Sequence, residues 1–175
     1  MKIITCVKQV RDLDMILKDD WVLDDTQQSV DLYYANKLLN PYDQTSVELM
    51  LRLRDNQNIK TEVITIGDAS TDEVLRKCFS VGVDSCKRVD INDSLFRTPR
   101  STATYLKEAI DLEDVDLILC GKQADNGNHG QTGQILAKKL GWPCFTDILD
   151  IHFKESNFEL TRLSENNIAF KLDYL

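Results

Sequence analysis

The segment Asp116–Pro143, DLILCGKQADNGNHGQTGQILAKKLGWP, limits this chain to few folds. Val115, Leu117, Ile118, Leu119 and Cys120 form an apolar run interrupted by Asp116 and closed by Gly121. Such a run predicts a strand buried on both faces of a parallel sheet. From Gly121 to Gly133 the residues are mostly small and polar, with Gly at 121, 127, 130 and 133. QILAKKL then carries the helical period and stops at Gly141, with Pro143 just beyond. A Gly-rich loop between a parallel strand and a helix offers bare backbone N–H groups and a helix N-terminus at the sheet's carboxyl edge. Phosphate is the commonest ligand at such a place. The residue types alone also allow a surface loop whose glycines only serve turns.

Two familiar phosphate motifs are excluded. A P-loop needs Gly-Lys followed by Ser or Thr, and Lys122 is followed by Gln123. A dinucleotide fingerprint needs G-x-G-x-x-G after the first strand, where Cys6-Val7-Lys8-Gln9 stands. The net charge of −8 argues against a nucleic-acid footprint and a polybasic membrane anchor. No apolar stretch reaches the ~18 residues of a membrane span, and MKIITCVKQV reads as a first strand rather than a signal peptide. The five cysteines (Cys6, Cys78, Cys86, Cys120 and Cys144) include no C-x-x-C pair, so a reducing, cytoplasmic setting is expected.

Along the chain, Lys2–Val7 reads as strand one and Met15–Asp24 as an excursion or hairpin. Asn40-Pro41-Tyr42-Asp43 signals a helix start, with Asn as N-cap, Pro at the first helical position and an acid in the first turn. Glu62–Ile66 is strand two. Ser70-Thr71-Asp72-Glu73 has capping-box spacing ahead of a helix running to Gly82. Ser85–Val89 is a short strand, Thr98-Pro99 opens a helix reaching about Asp111, and Val115–Cys120 is strand four. After Pro143 three strand-like stretches follow, Ile148–Lys154, Phe158–Leu163 and Ile168–Leu172.

Strands alternating with long helices imply right-handed crossovers and a parallel sheet covered on both sides. The expected fold is α/β, a Rossmann-like αβα sandwich over residues 1–146, with an antiparallel β appendage over 147–175. In open parallel sheets, ligands bind outside the strands' carboxyl ends, here Cys6–Lys8, Ile66–Ala69 and Gly121–Ala124. The Asn40 helix start is a further candidate, Lys122 could balance a phosphate, and His129 is one of only two histidines. His152 is assigned no role. No Ser/His/Asp set, carboxylate pair or metal cluster stands out, which suggests a nucleotide-binding protein rather than a hydrolase.

Four segments in order, MKIITCVKQVRD, NPYDQTSVELMLRLRD, EVITIGDASTDEVLRKCFSVGVD and DLILCGKQADNGNHGQTGQILAKKLGWP, resemble the β subunit of the electron transfer flavoproteins. The Gly-Lys-Gln-Ala loop followed by Gln-Thr-Gly-Gln and a distal Gly-Trp-Pro carries most of the resemblance. It implies a non-catalytic electron-carrier subunit that pairs with an α subunit holding the redox-active FAD and serves acyl-CoA or other dehydrogenases. Ordinary members bind AMP as a structural ligand; electron-bifurcating members hold a further FAD in the same region. Matched by motif, the nucleotide contacts would be Cys6, then Asn40, Pro41, Tyr42 and Asp43, then Ile66. The loop would add Gly121, Lys122, Gln123, Ala124, Asp125, Asn126, Gly127, Asn128, His129, Gly130, Gln131 and Thr132.

The chain departs from the family at Asp125, Asn126 and Asn128, where an apolar residue and acids are usual, and this bears on ligand identity. Gln-Thr-Gly-Gln resembles AMP-binding members, whereas bifurcating ones more often carry Ala-Gln-Val-Gly. The family continues beyond the antiparallel strands where this chain stops at Leu175, so a truncated chain and a shortened relative are both open. Two other classes remain in play. One is a stand-alone adenine-nucleotide-binding protein similar to universal stress proteins. The other, a nucleotide hydrolase, lacks its Ser-Gly-Gly-x-Asp motif where Thr-Cys-Val-Lys-Gln stands. The apolar residues Phe158, Leu160, Leu163, Ile168, Phe170 and Leu172 predict that the isolated chain either binds an α partner or self-associates.

Overall fold

In the computed structural model, which describes residues 1–17, 19, 21–23, 34–91, 98–124, 129–154, 157–163 and 169–174, the core is a four-stranded parallel sheet. The strands are β1 (Lys2–Val7), β4 (Lys60–Gly67), β5 (Ser85–Asp90) and β6 (Leu117–Cys120), in the order β5-β4-β1-β6. Between them run α1 (Pro41–Asn56), α2 (Asp72–Ser80) and α3 (Pro99–Ala109), and α4 (Thr132–Leu140) follows β6. A ribbon of β2 (Gln9–Arg11) and β3 (Lys37–Leu39) leads from β1 into α1. Strands β7 (Ile148–Lys154), β8 (Asn157–Leu163) and β9 (Ala169–Tyr174) form a separate antiparallel sheet. The expected α/β class with a mostly parallel sheet and a C-terminal antiparallel element is what the structure has.

Strand alternation sorts the core into two halves. Ile3, Val7, Val63 and Leu119 face α1 and α2, where they meet Val47, Met50, Leu53, Val74 and Cys78. Ile4, Cys6 and Ile64 point the other way, toward Ala103 and Leu106 of α3 and Leu136 of α4. The antiparallel sheet contributes Ile151 and Leu160 to the α1 side, with Phe153 and Phe158 packed against them. Of the apolar residues expected to drive association, Leu160 is buried and Phe158 and Leu163 half-buried, while Ile168 lies outside the described residues.

Three local expectations are corrected. Strand β6 packs into both halves of the core, but as an edge strand it is only partly buried: Leu119 is buried, while Leu117, Ile118 and Cys120 are half-buried. Among its described residues, the excursion after β1 shows no hairpin over residues 15–24. Its paired strands flank that stretch, whose described part holds no more than a single bridge at Leu23. The capping box at Ser70 does not form. A 3₁₀ turn at Ala69–Thr71 intervenes, the Asp68 carboxylate accepts from Ser70 N–H at 2.8 Å, and the Ser70 hydroxyl bonds Gln9 Oε1 instead. The helix starts at Pro41 and Pro99 and the stop at Gly141, left-handed at φ 72°, fall where the sequence puts them.

Ile64 is wholly buried in the central strand, so Ile64→Ala should cost roughly 2–5 kcal/mol by opening a cavity. Leu149→Ala, at a side chain 54% exposed, should stay within about 0.5 kcal/mol. Urea unfolding of the two variants checks both.

Candidate functional site

The chain leaves β1 to build β4 and β5 on one side, then returns to lay β6 on the other. The switch point therefore lies between β1 and β6, where adjacent crossovers diverge and leave a crevice at the carboxyl edge. A cleft of about 620 Å³ occupies this place. Cys6 and Cys120 lie at the strand ends, Ile66, Gly67, Asp68, Ser70 and Thr71 form one wall, and Thr102 and Leu106 of α3 another. Lys8, Gln9, Arg11 and Lys37 of the ribbon border the mouth, and Gly121, Gln123, Ala124, His129, Gly130, Thr132 and Gly133 close the far side.

Of the residues named from sequence, Cys6, Asn40, Asp43, Ile66, Gly121, Gln123, Ala124, His129, Gly130 and Thr132 line this cleft. Tyr42 and Lys122 instead line a second cavity, of about 610 Å³, bordered by α1, β6, α4 and the antiparallel sheet. There the Lys122 ammonium pairs with Asp147 at 2.9 Å, and the Gln123 side-chain amide donates to Tyr42 Oη at 2.7 Å. Pro41 and Gln131 border neither, serving as the first residue of α1 and the residue before α4. Asp125, Asn126, Gly127 and Asn128 lie outside the described residues. The ribbon residues Arg11 and Lys37 and the wall residues Ser70, Thr71 and Thr102 were not anticipated. A ribbon position with no fixed period to its partner carries no signal in sequence.

The cleft's geometry rests on two polar side chains at the start of α1. Asn40 is 1% and Asp43 6% exposed. The Asn40 carbonyl accepts from the Asp43 and Gln44 N–H groups, as an N-cap residue's should. Its side chain does not cap, contrary to the sequence reading. Asn40 Nδ2 donates to the Gln123 carbonyl at 2.8 Å, because the loop after β6 is packed over the helix start. The Asp43 carboxylate accepts from Lys8 N–H at 2.8 Å and from Gly121 N–H and Asn40. Burial pushes its pKa up to about 6 against the pull of those three donors.

Glycines allow the close approaches. A Cβ on Gly121 would fall 2.2 Å from Asp43 Oδ1 and 2.9 Å from the backbone of Tyr42 and Asp43. Gly130 is left-handed at φ 59°, and a Cβ there would meet the Lys122 carbonyl at 2.9 Å. Helix α4 then begins at Thr132 with no side-chain cap, its N-terminus toward the cleft. Uncapped N–H groups and the positive end of the helix dipole suit an anion. Among the described residues no cluster could hold a metal ion, and no helix is long and apolar enough to cross a membrane.

A parallel sheet with a glycine-walled cleft at its switch point defines a Rossmann-like domain. The family described as the electron transfer flavoprotein domain matches residues 31–172, and the chain belongs to it. It is 32% identical over 155 residues to the probable electron transfer flavoprotein subunit beta of Schizosaccharomyces pombe, covering 87% of this chain and 60% of that one. It is 31% identical over 178 residues to the electron transfer flavoprotein subunit beta of Megasphaera elsdenii, covering 97% and 63%. Against the caffeyl-CoA reductase–Etf complex subunit CarD of Acetobacterium woodii it is 30% identical over 171 residues, covering 95% and 62%. The resemblance read from the four motif segments is thus borne out. The chain spans about three fifths of the length of these relatives.

The raised pKa of Asp43 has a signed consequence. Moved from 3.8 to about 6, the carboxyl takes up a proton in the folded chain before it does in the unfolded one. Its contribution to stability is full below pH ~4 and lost as pH rises through about 6. Relative to Asp43→Asn, the wild type should gain on the order of 2–3 kcal/mol on acidification from about pH 7 to about pH 4. Urea unfolding of both proteins at both pH values measures this. A constant difference would contradict a buried carboxylate.

Proposed function

We propose that this chain is the nucleotide-binding part of an electron transfer flavoprotein β-type subunit and that its cleft takes AMP as a structural ligand. The observation that carries the reading is the cleft at the β1–β6 switch point, faced by the uncapped start of α4 and the left-handed Gly130. Its volume of about 620 Å³ falls in the ~300–1,000 Å³ range of small-molecule sites. The phosphate would sit against the N–H groups from Gly130 to Thr132. The adenosine would run toward Cys6 and Ile66, whose apolar surfaces suit a flat base. Asn40 and Asp43 would act on the nucleotide through the loop they hold, since their polar atoms already bond Gln123, Lys8 and Gly121.

In this reading the chain is an electron carrier's structural half rather than a catalyst. It pairs with an α subunit that carries the redox FAD, and the complex accepts electrons from acyl-CoA or other dehydrogenases. The bound nucleotide would add to folding stability by occupying the native state alone, by about 2.7 kcal/mol at a hundredfold excess over Kd. A second reading, FAD in the same cleft, is supported by Lys8, Arg11 and Lys37 at the mouth. Those cations would suit the second phosphate of a dinucleotide.

Calorimetry of the purified chain with AMP, ATP and FAD tests the proposal. One-to-one binding of AMP is expected, abolished by Gly130→Val, whose side chain would meet the Lys122 carbonyl in a left-handed backbone. Unchanged AMP affinity in that variant would remove the loop from the site. A yellow protein with stoichiometric FAD would favour the bifurcating type. Strong ATP preference with no α subunit recovered in a pull-down would favour the stand-alone nucleotide binder.

A further inference from the structure

We propose that Cys6 and Cys120 form an oxidisable dithiol at the floor of the cleft, a modification site whose reagent is a small-molecule disulfide. The two residues are Cα partners in the parallel ladder between β1 and β6. In-register neighbours lie ~4.8 Å apart and point to the same side of the sheet. That separation is within the ~4.4–6.8 Å a disulfide spans between Cα atoms. Both side chains join the core on the α3–α4 side, and both residues line the cleft. The Cys120 thiol is near enough to raise the pKa of Cys6. Cys6 is buried and Cys120 half-buried, so Cys120 is the one a reagent reaches first. A Cβ on Gly133 would sit 3.4 Å from Cys120 Sγ, and its absence leaves the space over that sulfur open.

The chemistry closes in two exchanges. The Cys120 thiolate attacks one sulfur of the reagent, forms a mixed disulfide and expels one thiolate. Cys6, once deprotonated, attacks the Cys120 sulfur, closes the Cys6–Cys120 bond and expels the second. The protein dithiol loses two electrons and two protons, and the reagent's disulfide gains them as two free thiols. The neighbouring Cys120 thiol and burial hold the Cys6 thiol well above its ordinary range, so the closing step speeds as pH rises.

Cys144 is the competing partner. It is exposed and lies within electrostatic reach of Cys120. It follows Pro143 in the irregular stretch before β7, however, and is not held opposite Cys120 by any strand ladder.

The test incubates the reduced protein with oxidised glutathione at mildly alkaline pH, quenches with acid and maps disulfides by mass spectrometry. A peptide bearing Cys6 linked to one bearing Cys120 is expected, in the wild type and equally in Cys144→Ser. Cys6→Ala should stop at a glutathione adduct on Cys120, and circular dichroism confirms that this variant folds; the wild-type map stands without it. A Cys120–Cys144 link, or adducts confined to Cys144 with Cys6 and Cys120 still free, would overturn the proposal. One consequence rests on the AMP reading: the glutathione adduct that Cys6→Ala retains on Cys120 fills the cleft floor, so the adducted variant should lose the AMP binding of its reduced form. Reduced protein that binds no AMP would count against that reading alone, because the peptide map needs no nucleotide.

Discussion

A buried carboxylate, Asp43, ties together the three segments on which the cleft depends. It accepts the N–H of Lys8 just past β1, the N–H of Gly121 just past β6, and the side chain of Asn40 at its own helix start. Asn40 extends the tie to the Gln123 carbonyl at 2.8 Å. The bonds to Lys8, Gly121 and Gln123 satisfy backbone groups that the close approach of loop and helix would otherwise leave buried without a partner. Desolvating a charge so deeply is unfavourable, and the raised pKa records it. The arrangement persists because removing the carboxylate would strand several donors at once.

The neighbouring glycine follows from that tie. Gly121 has no room for a Cβ because the α1 backbone and Asp43 occupy its place. Close packing of α1 over the end of β6 fixes where the loop begins; its described residues Gly121, Gln123, Ala124, His129 and Gly130 border the far side of the cleft, and α4 starts there with its N-terminus facing in. Lys122, the one cation in the first residues of that loop, is turned away and paired with Asp147. The cations that line the cleft are therefore Lys8, Arg11 and Lys37, beside the start of α4, rather than the loop lysine.

Much of the architecture was legible because the local signals agree with the tertiary result. Alternation along KIITCV sends Ile3 and Val7 to one helix layer and Ile4 and Cys6 to the other. Pro41, Pro99 and Gly141 mark helix ends by backbone constraint alone. Where expectation and structure part, a distant side chain has won. Ser70 gives up its cap to bond Gln9, and the Asn40 amide leaves its own helix for a carbonyl 83 residues away. The β6 run reads as a strand buried on both sides, yet apolar composition does not report how many neighbours a strand has.

The sequence by itself determined the elements, the two-faced parallel sheet, the loop able to face phosphate and the family to which the chain belongs. These follow from periodicities of two and 3.6 residues, from glycine and proline, and from motif order, all short-range properties of the chain. Only the tertiary structure decided that Cys6 and Cys120 stand in register, that Lys8 and Gly121 share one carboxylate, that Tyr42 and Lys122 face away from the cleft, and that the ribbon borders its mouth. Those pairings join residues far apart in the chain. They are set by how the crossover helices pack against the sheet, which no local pattern encodes.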